Sequence, residues 1–81
     1  MTDLSPIGEP FRTDEPVRIT CEGRTVYGTV LLASQNGRAL MLQFEALLAG
    51  HAGTMPVWQE DDGTFVSLVG RVPIGIERVR H

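Results

Sequence analysis

The sequence predicts a small, mainly β protein: one antiparallel barrel of SH3-like or related type, built from about six short strands. Glycine-centred turn signals stand at Glu22-Gly23, Asn36-Gly37 and Asp62-Gly63. Runs of alternating apolar and polar residues flank each of them, as consecutive β-hairpins require. The parity of those runs sorts the apolar side chains onto one common face. A single inward face over so few strands suits a partly open barrel, because a two-layer sandwich needs more strands.

Residues 1–16 read as a flexible N-terminal leader and 17–80 as the small β-barrel domain. The leader carries Pro6, Pro10, Pro16, Gly8 and the acids Asp3, Glu9, Asp14 and Glu15, with apolar residues widely spaced.

The first hairpin pairs 17–22 with 25–34. Val17, Ile19 and Cys21 then share a face with Val26, Gly28, Val30 and Leu32. For the next turn, a two-residue loop at Asn36-Gly37 would put Leu40, Leu42 and Phe44 on the wrong face. A three-residue loop, Gln35-Asn36-Gly37, instead pairs Leu32 with Leu40, Val30 with Leu42 and Gly28 with Phe44, so a bulged turn is predicted, with the Phe44 ring over Gly28. Residues 45–49 are good helix formers followed by Gly50, which predicts one short helical turn whose Leu47 and Leu48 plug a barrel end. It opens the one long connection, 45–56.

The third hairpin, 56–60 with 64–69, turns on Asp61-Asp62-Gly63 with two registers open: a two-residue loop sets Val57 across from Leu68 and leaves Trp58 on the other face, and a three-residue loop sets Trp58 opposite Val66 and buries it. The core place is expected for Trp58 because of the apolar area it would bury. Pro73 then starts a last strand, with Val72, Ile74 and Ile76 alternating, at an edge or closing seam.

Composition narrows the function. With 81 residues the chain has room for one domain, and its 42% hydrophobic content is that of a globular protein. A net charge of -3 argues against a nucleic-acid binder, although all seven basic residues are Arg. No apolar run approaches the roughly 20 residues that cross a bilayer, and residues 1–10 lack a signal-peptide pattern, so no membrane association and a cytoplasmic location are expected. Cys21, the only cysteine, excludes an internal disulfide and reads as a buried structural thiol.

No enzyme, cofactor or metal is expected. Only His51 and His81 are available for a triad, and Ser5, Ser34 and Ser67 lack a nucleophile-elbow context. Glu60-Asp61-Asp62 lacks the alternating oxygen ligands of a calcium loop. The Ser34-Gln35-Asn36-Gly37 turn resembles the Ser-x-x-Gly turn of PilZ-type regulators over those few residues. Leu32 stands where that pattern has an acid or amide, and no paired arginines precede the first strand, so the chain is not assigned to that family.

Two sites are expected. Up-and-down strands would gather Arg24, His51 and Arg71 at one end, beside the long connection, as an anion site for a phosphate or nucleotide. Tyr27, Leu31, Ala33 and Met41 would face outward as an apolar patch for a protein partner or a homodimer. The expected function is therefore a non-enzymatic protein-interaction or adaptor module that uses an open strand edge or the long loop, with a regulatory anion sensor as the alternative.

Overall fold

A computed structural model describes residues 10–79. The described residues form a closed six-strand antiparallel barrel, with β1 (Pro16–Cys21), β2 (Arg24–Ala33), β3 (Ala39–Leu48), β4 (His51–Gln59), β5 (Phe65–Ser67) and β6 (Pro73–Arg78) in sequential order. Closure comes from β1 pairing with β6 through Val17↔Arg78, Arg18↔Glu77 and Ile19↔Ile76. The barrel is thus closed rather than partly open, and each strand has a neighbour on both sides.

β1 and β2 turn through Glu22 and Gly23, whose φ values of 51° and 80° are the left-handed pair of a type I′ hairpin. Val17, Ile19, Val30, Leu42, Met55 and Val57 are fully buried inside the barrel, with Cys21 beside them as expected.

Between β2 and β3 the expected pairs Val30↔Leu42 and Gly28↔Phe44 form, but Leu32 meets Met41 instead of Leu40. The turn is one residue longer than expected: Ser34 N–H donates to Ala39 C=O and encloses residues 35–38. A turn of that length alone would reverse the parity, and a bulge between Val30 and Leu32 restores it. The extra residue therefore sits in the strand, at Leu31, instead of in the turn. As a consequence Leu32 faces solvent, 62% exposed, while Ala33 turns in against the core.

The short helical turn at 45–49 is not formed; those residues continue β3 to Leu48. Ala49 and Gly50, at φ 49° and 78°, make a second type I′ turn straight into β4. The long connection is thereby replaced by a two-residue turn. Burial explains why the helical propensity loses: Leu48 caps the core at 1% exposure, and Ala46 and Ala49 pack beneath it. Leu47 does not plug the barrel but points outward, 60% exposed.

The third hairpin has the three-residue turn Asp61–Gly63 and the register Trp58↔Val66. Trp58 nevertheless lies on the outer face, because Met55, Val57 and Gln59 occupy the inner one. The leader boundary also moves. Residues 1–9 lie outside the described residues, but the Phe11 ring meets Phe65 edge-on at 5.9 Å, and Glu15 C=O accepts the Val30 N–H at 2.9 Å. Residues 10–15 are therefore packed across one end of the barrel rather than free.

Candidate interaction surface

The alternation that fills the barrel also lays side chains in rows across its outside. One row runs from β2 to the end of β5 through Leu32, Met41, Pro56 and Leu68, with Leu32↔Met41 and Met41↔Pro56 paired and Leu68 N–H donating to Pro56 C=O at 3.0 Å. Proline is tolerated in β4 because its missing donor faces Leu68, where β5 ends. The adjacent row holds Ala39, Trp58, Val66 and Pro73. Leu31 and Leu32 lie together against Met41, so the bulge presents an additional leucine to solvent.

The first row borders a groove of about 410 Å³ whose walls include Leu32, Met41, Pro56 and Leu68. Leu32 and Leu68 are 62% and 56% exposed. Scattered apolar residues are ordinary on a surface, but a contiguous patch marks an interaction site.

Arg38, in the β2–β3 turn, anchors the lower border of this face. It is only 2% exposed. Its Nε and Nη2 both donate to Gln59 C=O, at 3.1 and 2.7 Å, Nη2 also reaches Asp61 at 3.0 Å, and the guanidinium lies 5.3 Å from the Trp58 ring centroid. A fork with this many donors satisfied is a geometry that arginine provides and lysine does not. Asp62, at the tip of the next turn, accepts the Thr64 hydroxyl and backbone N–H, and these bonds hold its carboxyl below the usual range.

Of the residues expected to form the apolar patch, Tyr27 (69% exposed) and Leu31 (36%) face outward and Met41 is half-buried in the row. Ala33 is excluded, since the bulge turns it inward. Tyr27 stands apart from the apolar rows, paired with Arg18, which is itself bonded to Glu77.

The three residues expected to form an anion site each have a different partner. Arg24 Nη1 donates to Leu47 C=O at 2.8 Å. Arg71 binds Glu60 at 2.5 Å, because a β5 only three residues long starts the next loop within reach of that acid. His51 Nε2 lies 3.1 Å from Ser67 Oγ, which also bonds to both backbone groups of Val69. Arg71 and Arg38 are thus both paired with acids around the β4–β5 turn, Glu60 and Asp61. Ser67 is fully buried and bound into a turn, which keeps its hydroxyl from any substrate. Burial first, and Glu22 second, push the Cys21 thiol above its ordinary pKa, the direction opposite to a reactive thiolate.

Sequence reasoning missed Pro56, Trp58 and Leu68 as members of the outer face, and Arg38 altogether. A signal for the bulge was present: Val30-Leu31-Leu32 is an apolar run that breaks the two-residue period where parity must change. Among the described residues no group of three or more His, Cys, Asp or Glu is placed to hold a metal, and no helix is long and apolar enough to cross a membrane. Comparison with family models, curated proteins and solved structures gives no match.

Proposed function

We propose that this small β-barrel is a non-enzymatic protein-interaction module that binds its partner on the outer face of β2, β3, β4 and β5. The observation that carries the reading is the pair of adjacent apolar rows, with Leu31 and Leu32 both turned out by the bulge. The expectation of an SH3-like module enters as a mode of use, a compact barrel presenting a surface to a peptide. A cytoplasmic setting is part of the proposal, supported by the single unpaired thiol of Cys21. Docking by strand addition is not part of it, because β3 and β4 are paired on both sides where the apolar rows cross them. The anion-sensor alternative has less support, since Arg71 is neutralised by Glu60 and Arg24 is spent on a carbonyl.

The test is affinity capture with the wild-type chain and with a Leu32→Glu/Leu68→Glu variant whose fold is checked by circular dichroism. The proposal expects a protein retained by the wild type and lost by the folded variant. The same proteins retained by both would refute it.

A further inference from the structure

We infer that the partner of this face is an amphipathic α-helix with a leucine-rich side and basic flanks. The inference rests on the proposed function and adds the chemistry of the occupant.

The first argument concerns backbone hydrogen bonds. Where the two rows cross β3 and β4 the face offers side chains and no open ladder, because β3 pairs there with β2 and β4, and β4 with β3 and with β5 and Leu68. An extended peptide laid across it would leave its own N–H and C=O groups facing Leu32, Met41, Pro56 and Leu68 with nothing to bond. A helix satisfies those groups internally and can press an apolar side against the rows.

Dimensions agree. The two rows lie about 7 Å apart along the strands, and the span from β2 to β5 is about 14 Å, against a helix diameter of about 10 Å. The groove along the Leu32–Leu68 row would take one ridge of leucines spaced at i, i+3 or i+4, and i+7.

Charge sets the flanks. The acids bordering the face are Glu45, beyond Gln43 on β3, and Glu60, Asp61 and Asp62 below Trp58. Glu60 and Asp61 are paired with Arg71 and Arg38, whereas Glu45 and Asp62 are in none of the ion pairs among the described residues. Each end of the face therefore keeps an exposed acid, and the bonds from Thr64 keep Asp62 ionised. Lys or Arg along both sides of the leucine ridge of an incoming helix would complement them, and Glu would be repelled.

The test is titration of the full chain, followed by amide chemical shifts, with three synthetic peptides of about 18 residues, long enough to form a helix. One carries a leucine stripe flanked by Lys, the second the same stripe flanked by Glu, and the third the residues of the first in a scrambled, non-amphipathic order. The Lys peptide should bind with shifts centred on Leu32, Met41, Trp58 and Leu68. It should bind at least about tenfold tighter than either of the others, a difference of about 1.4 kcal/mol. Glu45→Gln combined with Asp62→Asn, which keeps the turn bond to Thr64, should weaken it about threefold to tenfold at low salt.

Several results would overturn the inference. These are equal binding of the Lys and Glu peptides, shifts located elsewhere, a concentration-dependent dimer abolished by Leu32→Glu, or Leu32-dependent retention on phosphatidylcholine vesicles. If none of the peptides binds while the capture experiment still yields a Leu32- and Leu68-dependent protein, the helix is wrong and the interaction module stands. If capture also loses its dependence on those leucines, both fail.

Discussion

Arg38 is the most demanding side chain in the molecule, a charged group buried to 2% exposure and held by the carbonyl of Gln59, the carboxylate of Asp61 and the face of Trp58. Removing it would strand a buried carbonyl and uncover the indole. Arg38→Ala is expected to destabilise the fold by about 2–4 kcal/mol in urea unfolding and to shift Trp58 emission to the red. A loss below about 0.5 kcal/mol would contradict the bonding described. Sequence reasoning did not find this residue, since nothing local separates Arg38 from the other arginines. Only the approach of the β4–β5 turn, at a separation of 21 residues from Arg38 to Gln59, gives it partners.

Asp62 supplies a pH test. The Thr64 hydroxyl first, and the Thr64 N–H second, lower its carboxyl pKa, so its contribution to stability is full above the ordinary carboxylate range and fades as pH falls through the depressed value. Thr64→Val removes the hydroxyl bond and leaves the backbone bond. The Asp62 midpoint should rise toward the ordinary value in an NMR titration; an unchanged midpoint would show that the hydroxyl has no part in it.

Hairpins were readable wherever turn chemistry was explicit. Glu22-Gly23 and Asp61-Asp62-Gly63 marked where the chain turns, because glycine supplies the positive φ each turn needs, while the register of the third hairpin stayed open between a two- and a three-residue loop. Ala49-Gly50 was missed because an alanine in the left-handed region gives no turn signal, and its neighbours favour helix. That position is strained. Ala49→Asn, which creates an Asn-Gly turn, should raise unfolding stability by about 0.5–1 kcal/mol, and a decrease would contradict the type I′ assignment.

The β2–β3 register shows what parity reasoning can and cannot do. Pairing of Val30 with Leu42 demanded one extra residue, and the sequence showed that need. Where the extra residue would sit depended on the turn hydrogen bonds of Ser34 and Asn36, which the pattern of apolar residues does not encode. Gly28 was expected to be needed for the Phe44 ring, but the tighter restriction is backbone. A Cβ there would lie 2.2 Å from the Gln43 carbonyl oxygen, which can move only with its strand. Gly28→Ala should therefore cost about 2–4 kcal/mol in urea unfolding, and a neutral effect would contradict the close approach of β2 and β3.

Taken as one object, the protein is a closed cylinder whose inside follows from alternation and whose outside is uneven. The inner face is nearly all apolar. Outside, polar rows such as Thr20 with Thr25 and Thr29 with Gln43 and Thr54 give way to the apolar rows of β2 to β5. The sequence carried the inside well, because burial enforces a period of two. It carried the outside poorly, since outward positions are free to vary and the bulge moved Leu32 and Ala33 to opposite faces. Trp58 shows the same limit: its expected place in the core is not the one it takes, because area alone does not place a ring that an arginine can cover.

The bulge at Leu31 completes the core and also builds the outer face. Methyl relaxation in the presence of a soluble paramagnetic agent tests it directly. Leu31, Leu32 and Leu68 should be strongly broadened while Ala33 and Leu42 are protected; a protected Leu32 beside a broadened Ala33 would show that the strand runs without the bulge and that the proposed surface does not exist.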